Sequence, residues 1–128
     1  MAVGPVGQVH ISVTDLDRSI EFYRDVLGIP MMFRVPGQEM AFFASGEVRL
    51  YLGVPTSPEF TSRCVLYFRV DDLDAEVARL AELGARVAHP PRVVHRDADT
   101  ELWMTWLPDP DDHRLALMQE RPAATPSR

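Results

Sequence analysis

An α+β fold built from two βαβββ units is predicted by three observations. Apolar and polar residues alternate with period two in several short runs, which marks half-buried strands. Each half of the chain opens with such a run followed by one helix-spaced segment. The opening of the first half then returns in the second: HISVTDLD (10–17) lies over YFRVDDLD (67–74), and RLYL (49–52) over RLAL (114–117). An internal repeat of this kind points to two similar units related by pseudo-twofold symmetry.

The elements follow in order. In QVHISV (8–13) Val9, Ile11 and Val13 alternate with Gln8, His10 and Ser12. Asp15 is a natural N-cap for a helix carrying Leu16, Ile20, Tyr23 and Leu27, and Gly28 supplies its stop. Three strands follow, near Met31–Val35, Glu39–Ala44 and Val48–Leu52, with turns at Pro36-Gly37 and Ser45-Gly46. Gly53–Arg63, with its two prolines, reads as the linker between units. The second unit starts with a strand over Val65–Val70. Asp72 then opens a helix with Leu73, Val77, Leu80 and Leu83 inward and Gly84 at its end. Strands are expected near Arg86–His89, Glu101–Leu107 and Arg114–Met118, with a long polar loop over Pro90–Thr100. The domain is thus expected over 1–120, with unit one at about 6–53, a linker at 54–63, unit two at about 64–119 and a frayed tail at 121–128.

Composition narrows the function classes. The 128 residues suit one compact domain, and 46% hydrophobic with 25% charged residues is the profile of a folded chain. A formal net charge of −6 with no basic run makes a nucleic-acid backbone an unsuitable partner. No apolar stretch reaches the roughly 20 residues of a membrane helix. The opening segment lacks the basic and apolar regions of a signal peptide, and the single cysteine, Cys64, cannot form an internal disulfide. A cytoplasmic protein is therefore expected.

The segments HISVTDLDRSIEFYRDVLG, VDDLDAEVARLAELGA and DPDDHRLAL together resemble the vicinal oxygen chelate superfamily. That superfamily includes glyoxalase I, bleomycin-resistance proteins and extradiol dioxygenases, and the resemblance covers residues 8–119. It implies a curved sheet around a cup, helices outside, an active site in the cup and a homodimer. It further implies that metal enzymes of the family place ligands at positions falling here on Gln8, Tyr51, Val65 and Ala116. Two of those four side chains have no donor atom, so no cofactor is expected. A single divalent metal on a shifted set, His10, His95 and Glu101, is the alternative.

By strand parity Gln8, His10 and Ser12 face that cup, as do Val65, Tyr67 and Arg69. Arg49 and Arg114 stand beside Tyr51 and Ala116 on the closing strands. A cup with a histidine, two tyrosines and several arginines suits an anionic or polyoxygenated ligand. His10 can act as a base near neutral pH, with Tyr67 as its partner in an acid–base pair. Gln8, Arg49, Tyr51, Arg69, Trp103, Arg114 and Met118 are the candidate ligand contacts. His95, Arg96, Asp97, Asp99 and Glu101 read as a solvated loop or a lid, and Glu101 could reach the cup. His89 and His113 read as surface residues.

Three functions remain open on the sequence. One is metal-independent binding of a hydrophobic or aromatic small molecule, in the manner of the drug-resistance branch that the resemblance brings in. Another is a lyase or isomerase of the glyoxalase type. The third is a non-catalytic accessory domain.

Overall fold

The computed structural model describes residues 2–123. The chain divides into two compact units, Met1–Cys64 with Asp109–Asp111, and Val65–Pro108 with Asp112–Arg128. Each is an α+β arrangement of βαβββ order, as the repeat predicts.

In the first unit, β1 (Gln8–Ser12) leads into α1 (Leu16–Glu21), which widens into a π-helical turn over Phe22–Val26. The Asp15 carboxylate caps α1 by accepting the Arg18 N–H at 3.1 Å. Gly28, at φ 80°, takes the left-handed conformation that lets the chain leave the helix. Strands β2 (Met31–Arg34), β3 (Met40–Ser45) and β4 (Val48–Gly53) follow, and the sheet order is β1-β4-β3-β2. β1 runs parallel to β4, because the helix carries the chain across before the antiparallel meander begins.

One face of this sheet presents Ile11, Leu50, Leu52, Ala41 and Phe43 to Leu16, Ile20 and Tyr23, and all of these are buried. The segment 109–111 belongs to this unit. There Asp109 is buried and accepts the Tyr23 hydroxyl at 2.7 Å, while Asp111 accepts the Thr14 hydroxyl at 2.6 Å.

The second unit contains β5 (Leu66–Arg69), α2 (Leu73–Glu82), β6 (Arg92–Arg96), β7 (Thr100–Pro108) and β8 (Arg114–Pro122), in sheet order β5-β8-β7-β6. Asp72 caps α2 through the Ala75 N–H at 3.1 Å. Leu73 and Leu80 are buried, but Leu83 is exposed, because it stands at the C-cap beyond the last helical turn.

Three expectations are corrected here. The strand near Arg86–His89 does not form, and the strand lies instead within the segment expected as a loop. Pro90 and Pro91 have no N–H to give a ladder, so pairing starts only after them. Arg92–Arg96 then pairs antiparallel with β7 through a bulge between Val93 and His95. The polar residues that follow make a tight turn rather than a lid. The Asp97 carboxylate accepts the N–H groups of Asp99 and Thr100 and the Thr100 hydroxyl, at 3.0–3.2 Å. These bonds hold its pKa below the usual carboxylate range.

The second correction is that the chain does not fray from Arg121: β8 runs on through Pro122, with Glu101 paired to Arg121 and Thr100 to Pro122. The rest of the expected tail, 124–128, lies outside the described residues. The third is that His113 is buried, not on the surface. No helix among the described residues is long and apolar enough to cross a membrane.

Candidate functional site

The site grows from the face of the first sheet that points away from α1. Register sets Phe33 opposite Phe42, Phe42 opposite Tyr51, and Tyr51 opposite His10. Four rings from four strands therefore stand in one row. His10 and Tyr51 have centroids 4.5 Å apart, Tyr51 and Phe42 are stacked at 4.8 Å and 23°, and Phe42 and Phe33 lie at 4.9 Å. Cross-strand ring pairs of this kind are each worth about 0.5–1.5 kcal/mol beyond their buried area.

Two neighbouring rows finish the surface. In one, Arg49 donates to the Gln8 side-chain oxygen at 2.9 Å and lies 5.3 Å over the Phe42 ring. In the other, Gly53 lets the Tyr51 ring lie along the strand: a Cβ at Gly53 would stand 2.7 Å from Tyr51 Cε1. Tyr51 is held by Phe42 on one side and His10 on the other, so it has little room to yield. We expect Gly53→Ala to displace the Tyr51 ring while the chain stays folded, visible as changed ring-current shifts of His10 and Phe42 in NMR.

The segment read as a linker is the wall of this site. Residues 54–62 turn back over the sheet face, with a 3-10 turn at Pro58–Phe60. Ser62 fastens it: its N–H donates to Ser12 Oγ at 2.7 Å and its hydroxyl to the His10 carbonyl at 2.8 Å. Cys64 Sγ donates to the same carbonyl at 3.2 Å. Between wall and sheet lies a cavity of about 770 Å³, with Gln8, His10, Met40 and Tyr51 contributed by the sheet, Gln38 and Glu39 by the β2–β3 turn, and Glu59, Phe60 and Ser62 by the wall. That volume lies within the ordinary range for small-molecule sites.

Burial pushes the His10 imidazole below its ordinary pKa of 6.5, so it is neutral at pH 7. Its Nδ1 stands 3.4 Å from Ser62 Oγ, whose own proton goes to the His10 carbonyl. The tautomer that suits this contact carries its proton on Nδ1. Because the unfolded chain binds the His10 proton more readily, this group's contribution to stability is present above pH 6.5. It is lost as pH falls through the folded-state pKa. The check is an NMR titration of the His10 ring, whose midpoint is expected below 6.5.

On the second unit the predicted residues divide between two faces. Tyr67 meets Trp106 edge-on at 5.3 Å across Ala116. Arg69, Met118 and Arg114 share that face by alternation. Trp103 does not: it lies on the α2 side, with Arg121 4.4 Å over its ring and its indole N–H donating to Glu101 at 3.1 Å. Glu101 also accepts Arg96 at 2.8 Å, and these two bonds hold its carboxyl below the usual range. Trp103 and Glu101 therefore stand on the opposite face from Tyr67. The odd-numbered members of β7 all point to the helix side, so Trp106 takes the ring position beside Tyr67.

A model of the Glyoxalase/Bleomycin resistance protein/Dioxygenase superfamily matches residues 6–117. The chain belongs to that superfamily. It is 31% identical over 117 residues to the uncharacterized protein YraH of Bacillus subtilis (strain 168), covering 74% of this chain and 91% of that one. Among solved structures, TnmS3, an antibiotic binding protein from Streptomyces sp. CB03234, is 26% identical with a TM-score of 0.73, covering 94% of this chain and 99% of TnmS3. A superfamily member from Sphaerobacter thermophilus DSM 20745 has a TM-score of 0.75 at 21% identity, over 91% of this chain and 97% of that one, a likeness of fold.

The metal that the superfamily's enzymes use does not fit this chain's residues. Of the four positions where the resemblance puts ligands, Val65 and Ala116 carry no donor. What is left is one neutral amide oxygen, Gln8, which also accepts from Arg49, and the Tyr51 phenol, too few and too weak a set for a divalent ion. The fallback set fares no better as a cluster: Glu101 is engaged by Arg96 and Trp103. Among the described residues no group of three or more His, Cys, Asp or Glu could hold a metal ion.

The wall is what sequence reading misses. Glu59, Phe60 and Ser62 sit in a proline-containing stretch without periodicity, which carries no signal of folding back. Phe33 and Phe42 are visible as large apolar residues, but their shared face depends on a register that the sequence alone leaves open.

Proposed function

We propose that this glyoxalase/bleomycin-resistance-like protein binds a flat aromatic or hydrophobic small molecule in the cavity of its first unit. It does so without a metal and holds the ligand rather than transforming it. The row Phe33–Phe42–Tyr51–His10 carries this reading. A continuous ring surface beside a cavity of small-molecule size offers stacking area and few reactive groups. His10 is the one imidazole lining that cavity, and its Nδ1 contacts Ser62 rather than a carboxylate that would activate it as a base.

Similarity to TnmS3, an antibiotic binding protein, supports a small-molecule ligand of the antibiotic kind, and sequestration of such a compound is the biological use we propose. The test is isothermal titration of the metal-stripped protein with a panel of flat polycyclic aromatics, followed by chromatography of the recovered compound. Saturable binding with the compound returned unchanged is expected. Conversion of the compound, or binding that needs an added divalent metal, would overturn the reading in favour of a glyoxalase-type enzyme.

A further inference from the structure

The charge around the same cavity selects among aromatic ligands. The arginines visible in the sequence favour an anionic guest, yet among the described residues no arginine lines the cavity. Arg49, on the same sheet face, is committed to Gln8 and to the Phe42 ring. Among the described residues the charged side chains that do line it are two carboxylates, Glu39 at the β2–β3 turn and Glu59 on the wall. Both are exposed, and neither has an ion-pair partner among the described residues. His10 adds no positive charge at neutral pH. The Tyr51 and Phe60 rings complete a lining in which π faces and carboxylates both favour a cation.

Resting on the binding reading above, we infer that the preferred ligand class is a planar aromatic bearing a fixed positive charge, its rings along Tyr51 and its charge toward Glu39 and Glu59. Two exposed carboxylates at about two- to fivefold each, with a cation–π contribution on top, give a preference for cation over neutral isostere of about tenfold.

The experiment compares three probes of one shape by calorimetry: N-methylacridinium, acridine and acridine-9-carboxylate. The expected order is cation, then neutral, then anion. The gap between the first two should narrow as salt is added. In a Glu39→Gln/Glu59→Gln double variant that gap shrinks to the residual, about twofold preference that the rings alone supply. In Glu47→Gln/Glu82→Gln, which removes the same charge from exposed positions elsewhere, it persists. If the three probes bind equally, or if both double variants behave alike, the cation inference fails while the binding reading stands. If none of the three binds, the binding reading fails and takes the inference with it.

Discussion

Replacing Asp109 by Ala is expected to lower the unfolding free energy by about 2–3 kcal/mol, read from urea denaturation followed by circular dichroism. Tyr23 is fully buried, and its hydroxyl donates to Asp109 Oδ2 at 2.7 Å. The other oxygen of the carboxylate accepts the Asp111 N–H at 2.9 Å, which holds the turn so that Asp111 can accept from Thr14. Burial and the adjacent carboxylate push the Tyr23 phenol far above its ordinary value, so it stays a donor throughout the accessible pH range.

Truncating Asp109 leaves that donor in the core without its acceptor, the costly half of breaking a buried hydrogen bond. Tyr23→Phe makes the converse defect, a buried carboxylate short of one donor. The two losses concern one bond, so the double variant should cost clearly less than the sum of the singles. Additive losses would mean that the bond contributes nothing beyond the space its atoms fill.

Tyr51→Ala has the largest expected effect on binding: affinity for a flat aromatic falls about 10- to 100-fold, on the scale of one lost stacking surface plus the apolar area it buries. Tyr51 is the central ring. It touches His10 and Phe42, lines the cavity, and lies over Gly53. Stability should fall only modestly, by about 1–2 kcal/mol, because the residue is half-buried on the face away from the core. Calorimetry on a variant whose thermal unfolding remains cooperative separates the two effects. Phe33→Ala, at the far and more exposed end of the row, should weaken binding less. Equal losses at both positions would argue that the row acts only through the sheet's integrity.

The fold was legible because its signals are local. Asp15 and Asp72 cap helices, Gly28 ends one of them, and period-two alternation gives the strands. What failed was also local in origin. A Val-containing segment before Pro90-Pro91 imitates a strand, and a charged stretch after it hides one, since Arg and His on an exposed edge strand, followed by the aspartates of a turn, look like loop residues. The site was half legible. Alternation places Gln8 and His10 on the face that lines the cavity, and the position of Tyr51 on the closing strand is readable. The placement of Trp103 depends on the β7–β8 register, and a one-residue change in phase moves every side chain to the other face. The wall over 54–62 depends on Ser62 finding Ser12 and His10, a contact between residues about fifty positions apart that no spacing rule encodes.

Under the proposed function, the ligand binds on the ring-faced side of the first unit. The most direct test is an amide chemical-shift titration of the isotopically labelled protein with acridine. Saturating shifts at His10, Met40, Tyr51 and Ser62, weak or absent along α1 and α2, are the predicted result. Saturating shifts confined to the second unit, or no shifts at all, would contradict it.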